Sequence, residues 1–166
     1  MMKNSPVWLN PLLLILFATL SYIGIIHHEL CLDEANEWLM AVNSHSLVEH
    51  LHNARFTGHP PLWSIMLFIL SRFTSDPFYM QLLHLGISLI ATWLFLKYSP
   101  FSTLVKVCTI FGYYFLFEYN LINRSYNITW LLLIIFCILF NREKRNYLLL
   151  TLTLVLLANI HAFSWL

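Results

Sequence analysis

Long apolar runs dominate this sequence and limit what it can fold into. The first covers residues 7–26 and follows a single lysine, Lys3. A membrane-spanning helix needs about 20 mostly apolar residues. Hydrophobic residues make up 59% of the chain and charged residues 10%, whereas a soluble domain carries about 25% charged residues. The sequence therefore predicts an all-α, polytopic integral membrane helix bundle.

Four further apolar runs are candidates for spanning helices, namely residues 78–96, 102–117, 128–140 with its flanks, and 147–166. The first run lacks a small-x-small cleavage site, so we interpret it as a retained helix and not as a signal peptide. The run 61–73 is short, a length more typical of an interfacial segment. The prediction is a single transmembrane domain, residues 1–166, with about five spanning helices.

The distribution of positive charge predicts the orientation, because cytoplasmic loops collect Lys and Arg. If 61–73 does not span, most basic residues lie inside and only Arg55, Arg72 and Arg124 lie outside. If it spans, most basic residues lie outside and only Lys3, Arg72 and Arg124 lie inside. The first arrangement places the N-terminus in the cytoplasm and puts residues 27–77 and 118–128 on the same outer face. We expect a bacterial inner membrane.

Two short amphipathic helices are predicted in the outer segment 27–77. The first starts near Asp33. The second has Ser46 as N-cap and Glu49 three residues later, which is the spacing of a capping box. Amphipathic helices of this kind lie on a membrane surface.

The adjacent acids Asp33 and Glu34 are the main candidates for chemistry. One interpretation is a helix start, because acids in the first turn favour the positive end of the helix dipole. The other is a general base at the water–lipid boundary, since a carboxylate can take a proton from an acceptor hydroxyl. The two interpretations are compatible, because adjacent side chains on a helix point in different directions.

Other candidate residues lie in the later outer turn and near two histidines. Arg124 can bind a phosphate through its planar guanidinium, and Glu118 and Tyr126 lie in the same polar break between apolar runs. His59 follows a glycine and precedes two prolines, in a rigid turn. His161 lies inside the last apolar run, where a polar side chain is a functional candidate.

Six histidines lie between residues 27 and 59, and with Asp33, Glu34, Glu37 and Glu49 they could bind Zn²⁺. Their spacing matches no defined metal motif. We therefore predict no metal ligands, and a divalent cation is the one cofactor left open. The net charge of +1 gives no basic surface for nucleic acid.

Four pieces occur in a characteristic order: LDEA at 32–35, HPPL at 59–62, NRSYNI at 123–128 and IHAF around His161. This order resembles the N-terminal part of the GT-C membrane glycosyltransferases, in particular the protein mannosyltransferase and aminoarabinose transferase group. Leu32 departs from the pattern, because an aromatic residue usually precedes the acids. The histidines of the outer segment are also unusual, and the later helices of the family are absent.

The resemblance implies a sugar transfer from a polyprenyl- or dolichyl-phosphate donor to an acceptor hydroxyl. It implies that Asp33 is the catalytic base and that Glu34 supports it. Arg124 would neutralise the departing lipid phosphate, and Tyr126 and His59 would line the pocket. The acceptor is a protein, a lipid or a glycan.

Two alternatives remain from the sequence. One is a non-enzymatic membrane protein, such as a small transporter or a cation-binding subunit. The other is an inactive fragment, since the chain stops within an apolar run and matches only the first part of the family's membrane domain.

Overall fold

The computed structural model describes residues 8–57 and 60–160. Over these residues the chain is helical and has no strand, so the all-α prediction is confirmed. A 3₁₀ turn covers Arg55–Thr57 and a π-helical turn covers Tyr114–Glu118. The α-helices of the described residues are α1 Leu9–His27, α2 Leu32–Asn43, α3 Leu47–Ala54, α4 Leu62–Ser71, α5 Phe78–Tyr98, α6 Thr103–Ile110, α7 Tyr126–Phe140 and α8 Tyr147–Ala158.

Within the described ranges, two helices are long and apolar enough to cross a membrane. Helix α1 has 19 residues and a mean hydropathy of 2.1, and α5 has 21 residues and a mean hydropathy of 1.5. Helices α4, α7 and α8 are apolar but shorter. Most of the apolar surface of α1 is exposed, whereas more than half of α5 is buried inside the protein. Helix length thus supports two of the five predicted spans.

Helices α1 and α5 form an antiparallel pair. The side-chain amide of Asn10, at the start of α1, donates to the carbonyl oxygen of Leu96 at 3.3 Å. At the other end, the side-chain amide of Gln81 donates to the carbonyl oxygen of His28 at 3.4 Å. The end of α1 therefore lies beside the start of α5.

Helix α7 runs parallel to α5, and α8 runs back alongside α7. The side-chain amide of Asn127 donates to the carbonyl oxygen of His84 at 2.9 Å, and Trp130 packs on Phe95 further along both helices. The end of α8 joins the same hydrophobic cluster as the start of α7. Helices α5 and α7 thus run in one direction, and α1 and α8 run in the opposite direction.

Helices α2, α3 and α4 pack together at the end of the bundle where α5 and α7 begin. His50 is completely buried between them, with Nε2 at 2.6 Å from the hydroxyl of Ser64 and Nδ1 at 3.3 Å from that of Ser44. The predicted N-cap of α3 is confirmed, because the hydroxyl of Ser46 accepts from the backbone N–H of Glu49 at 3.1 Å. Helix α4 has only 10 residues, in line with the short run seen in the sequence.

The predicted helix over residues 102–117 is interrupted. Helix α6 ends at Ile110, and the chain continues in the π-helical turn after Gly112. A Cβ on Gly112 would lie 2.7 Å from the carbonyl oxygen of Cys108, so only glycine fits there without a backbone shift. Single π turns of this kind break the regular i→i−4 ladder.

Replacing Arg72 by Met should destabilise the α2–α4 unit. The Arg72 guanidinium donates to the carbonyl oxygens of Ala41 at 2.8 Å and Ser44 at 3.0 Å, where α2 ends. Helix ends leave such carbonyl groups without intrahelical partners. Losing these bonds should lower the free energy of unfolding by about 1 kcal/mol, which thermal unfolding in detergent measures. The exposed Arg55 provides the control, because Arg55→Met should leave the stability unchanged.

Candidate functional site

The site is built on the first turn of α2. Cys31 is the N-cap of this helix, and its backbone N–H donates to the Glu34 carboxylate at 2.8 Å. The start of α2 thus uses one of the two adjacent acids as a capping group. The other, Asp33, points away from the helix and is 66% exposed in its side chain.

Glu34 is completely buried and holds two distant segments together. Its Oε1 accepts from the backbone N–H of Asn123 at 2.5 Å and from the side-chain amide of the same residue at 2.7 Å. Its Oε2 lies 3.0 Å from Nε2 of His28, an ion pair when the imidazole is protonated. Burial alone would raise the pKa of Glu34, but hydrogen bonds from Cys31 and Asn123 outweigh it, so the pKa is lowered.

Asp33 pairs with Arg124, which is 91 residues away in the sequence. The guanidinium Nη2 donates to Oδ2 of Asp33 in a direct ion pair. Asn123 and Arg124 are neighbours, so the two adjacent acids of α2 bind two adjacent residues of the later turn. The predicted meeting of the acids with Arg124 is present in the structure.

His84 on α5 contacts the backbone of the turn that contains Asn123 and Arg124. Its side chain is completely buried, with Nδ1 at 3.1 Å from the carbonyl oxygen of Asn120 and Nε2 at 3.0 Å from that of Arg124. A neutral imidazole has one N–H and donates to one of these carbonyl groups at a time. His84 therefore ties the backbone of Arg124 to a long helix.

A cleft opens beside the ion pair and contains a third acid, Glu37. The outer part of the cleft has a volume of about 260 Å³. The residues of α2 that line it share one helix face, and they are Asp33, Asn36, Glu37 and Met40. A smaller pocket of about 20 Å³, named the inner chamber here, shares Glu37 and Arg124 with it and is also lined by Trp63.

From the sequence, Glu37 is a candidate only for metal binding, together with the histidines of the outer segment. Asp33 and Glu37 are four residues apart, a spacing that puts both on one face of a helix. This spacing is the sequence feature that could have placed Glu37 beside Asp33 at the site. The roles of Asn123 and Trp63 had no comparable signal, because both depend on contacts between segments distant in the sequence.

Glu37 has the most perturbed carboxyl group at the cleft. Burial raises its pKa to about 7; hydrogen bonding from the indole N–H of Trp63 to this carboxyl group opposes the shift, and the charge of Glu34 adds to it. Its Oε2 is buried and has no hydrogen-bond partner within residues 8–57 and 60–160. A carboxyl group in such surroundings is only partly ionised at neutral pH.

The structure brings some of the other predicted residues to the cleft. Tyr126 lines the inner chamber together with Arg124. Glu118 does not line the cleft, and its carboxylate accepts from the hydroxyl of Tyr113 at 3.3 Å. His59 and His161 lie outside the described residues.

No group of three or more His, Cys, Asp or Glu side chains among the described residues could hold a metal ion. In that part of the chain, His50 is enclosed by serine hydroxyls and His28 pairs with Glu34.

A second, apolar cavity of about 550 Å³ lies between α5 and α7. It is lined by residues near the ends of these helices, among them Phe95, Tyr98, Ile134 and Cys137. The cleft lies at their opposite ends, beside Tyr126. The two cavities are therefore separated along the length of the bundle.

Comparisons with protein-family models, with curated proteins and with solved structures found no match for this chain.

Replacing Glu34 by Gln should destabilise the fold. The amide keeps the size of the side chain but turns an N–H donor toward the donors that Cys31, His28 and Asn123 supply. A buried mismatch of this kind costs about 1–3 kcal/mol, measurable as a lower free energy of unfolding. Glu29→Gln, at an exposed position, should have no effect.

The same network predicts acid sensitivity. Because the pKa of Glu34 is lowered in the folded state, its contribution is complete above its ordinary pKa of 4.5 and is lost as the pH falls through the lower folded value. In the Glu34→Gln variant this part of the acid dependence should be missing. An unchanged acid limb in the variant would contradict the assignment.

Glu37→Gln should raise stability at neutral and alkaline pH, whereas the effect of Glu34 is seen at acid pH. A raised pKa means that the folded protein favours protonated Glu37, so its contribution is present below the ordinary pKa of 4.5 and is lost as the pH rises through about 7. The melting temperature of Glu37→Gln should therefore match the wild type at pH 4 and exceed it increasingly up to pH 8. A constant difference between the two proteins would contradict this prediction.

Proposed function

We propose that this chain is the N-terminal part of a GT-C-type membrane glycosyltransferase. It would transfer a sugar from a polyprenyl-phosphate donor to an acceptor hydroxyl. The observation that carries the proposal is the contact between Asp33 and Arg124 at the mouth of a cleft. That contact joins the acid and the cation that the resemblance assigns to the two halves of the reaction.

The proposed setting is a multi-pass bundle in a bacterial inner membrane, with the N-terminus in the cytoplasm. Support comes from the two long apolar helices and from the directions of the helices, because α5 and α7 run opposite to α1 and α8. In this setting α2, α3 and α4 lie on the outer face. The cleft then faces the surface where a lipid-phosphate group lies.

The proposed reaction is an inverting displacement. The acceptor oxygen forms a bond to the anomeric carbon, and its proton passes to the Asp33 carboxylate. The bond between the anomeric carbon and the phosphate oxygen breaks, and its electron pair leaves on the phosphate. Arg124 stabilises the charge that develops there.

The ion pair also suggests an order of events. While Arg124 pairs with Asp33, the positive charge of the guanidinium makes this carboxylate a weaker proton acceptor. A lipid phosphate offers the guanidinium a second anionic partner of suitable geometry. Binding of the donor would draw Arg124 toward the phosphate and release Asp33 for the acceptor.

Glu34 has a supporting role in this proposal. Its carboxylate is buried and binds Asn123 through two donors. A group held in this way is poorly placed to exchange a proton with a substrate. It positions Arg124 by fixing the residue beside it.

Asp33→Asn should abolish sugar transfer while the protein level is unchanged. Asn keeps the size of the side chain but cannot act as a base, and general-base catalysis contributes about 100-fold or more. We would measure transfer from a set of polyprenyl-phosphate sugars in membranes that carry the full reading frame. Asp76→Asn is the matched control: Asp76 is exposed and caps the backbone N–H of Phe78, a bond that Asn can replace.

Two outcomes would count against the proposal. Transfer that is equal in wild type and Asp33→Asn would show that the acid only starts a helix. Transfer from none of the donors would favour a transporter, a cation-binding subunit or an inactive fragment.

A further inference from the structure

The end of the bundle opposite the cleft carries two adjoining pockets of different chemistry. The apolar cavity between α5 and α7 has a volume of about 550 Å³, and its walls are mostly apolar, among them Phe95, Trp130 and Ile134. A polar pocket of about 400 Å³ lies where α7 ends and α8 begins. Asn141, which follows the last residue of α7, lines both. The two pockets therefore meet at the end of one helix.

The polar pocket is basic, because two arginines and a single acid, Arg142, Arg145 and Glu143, line it. Neither arginine forms an ion pair with a described residue. Arg145 donates from Nε to the carbonyl oxygen of Phe140 at 3.1 Å, and its Nη groups make no hydrogen bond with the described residues. A guanidinium offers a planar set of donors that matches the oxygens of a phosphate. The pocket thus has the charge and the donors for an anion.

The other cations at this end of the bundle have partners. Nζ of Lys106 donates to the carbonyl oxygen of Leu96 at 2.7 Å, where α5 ends. Nζ of Lys97 lies 4.8 Å from the centroid of the Trp93 ring. The two arginines of the basic pocket are therefore the cations with the most donors left for a ligand.

The length of the apolar cavity matches half of a membrane. Its lining residues on α7 extend from Trp130 to Asn141, which is about 16 Å at the rise of an α-helix. The hydrocarbon core of a bilayer is about 30 Å thick, so each leaflet contributes about 15 Å. One extended acyl chain fits this length, and burying its apolar surface against apolar walls is favourable.

We propose that the two pockets form a binding site for one anionic phospholipid of the cytoplasmic leaflet. One acyl chain lies in the apolar cavity, and the phosphate lies in the basic pocket against Arg142 and Arg145. The proposal rests on the membrane setting and orientation given above, in which α5 and α7 end on the cytoplasmic side. It does not rest on sugar transfer, because the cleft lies at the other end of the bundle.

Both pockets are needed to specify this ligand. A free phosphate would use the basic pocket and leave the apolar cavity open. A zwitterionic phospholipid would fill the cavity, but it would bring a cationic group close to the two arginines. Basic pockets on the cytoplasmic side of membrane proteins bind anionic head groups. An anionic phospholipid is complementary to both pockets at once.

The test uses phospholipids with brominated acyl chains, because bromine quenches the fluorescence of a tryptophan that it contacts. The full chain is placed in phosphatidylcholine nanodiscs with increasing fractions of brominated phosphatidylglycerol or brominated phosphatidylcholine. The difference between wild type and Trp130→Phe gives the signal of Trp130, which lines the apolar cavity. We expect brominated phosphatidylglycerol to quench this signal at a several-fold lower fraction than brominated phosphatidylcholine.

One pair of variants tests the head group. Arg142→Gln should raise the fraction of brominated phosphatidylglycerol needed for half-maximal quenching about fivefold, the effect of one basic residue near an anionic lipid. Lys144→Gln is the matched control, because it removes one charge from the same exposed loop but Lys144 does not line the basic pocket. This control should behave like the wild type.

A second pair of variants tests the acyl chain. Cys137 is exposed and lines the apolar cavity, so Cys137→Phe should fill part of it and reduce the quenching of Trp130. Cys108→Phe is the control, since Cys108 is also exposed but does not line the cavity. If Cys137→Phe leaves the quenching unchanged, no chain occupies the cavity and the proposal fails.

Trp93 separates this proposal from the membrane setting on which it rests. It is 45% exposed on α5 and lines neither pocket, so both brominated lipids should quench it equally. Equal quenching of Trp130 by the two lipids, or an equal loss in Arg142→Gln and Lys144→Gln, would overturn the lipid site alone. A Trp93 that neither lipid quenches would reject the membrane setting as well. Quenching needs no turnover, so it is independent of the sugar-transfer assay.

Discussion

The buried carboxylate of Glu34 is the interaction on which the site depends. A charge in the interior is tolerated only when hydrogen bonds and counter-charges replace its hydration. Here the replacement comes from the N-cap of α2, from His28 and from both N–H groups of Asn123. The hydrogen bonds of the Glu34 carboxylate therefore form only when the start of α2 and the segment around Asn123, 89 residues away, lie side by side in one fixed alignment.

This alignment sets the environment of the other two acids of α2, Asp33 and Glu37. Since Asn123 is held by Glu34, its neighbour Arg124 is placed at Asp33, and His84 holds the carbonyl group of Arg124 from α5. Glu37, one turn along the helix, forms no ion pair with the described residues and lies beside Trp63. Three acids within five positions of one helix thus have three different surroundings: a buried hydrogen-bond network for Glu34, an ion pair for Asp33 and a small chamber beside Trp63 for Glu37.

The cleft combines features that favour function over stability. It is lined by Glu37, a carboxyl group whose pKa burial raises to about 7. Packing for stability alone would give a buried polar group hydrogen-bond partners, as at His50, where both ring nitrogens contact serine hydroxyls. Perturbed groups that collect in a cleft are candidates for binding and catalysis.

The sequence by itself determined the helical class, the N-cap at Ser46, the short run before α5 and the helix that starts near Asp33. These follow from local composition and periodicity, which act over a few residues. The sequence also predicted that Asp33, Glu34 and Arg124 lie on the same face of the membrane, because the distribution of Lys and Arg restricts how the apolar runs can cross it. Only the tertiary structure decided that Glu34 is buried, that Glu118 lies apart and that Glu37 shares a chamber with Trp63. Burial and hydrogen-bond partners depend on contacts between distant segments, and a local pattern carries no information about them.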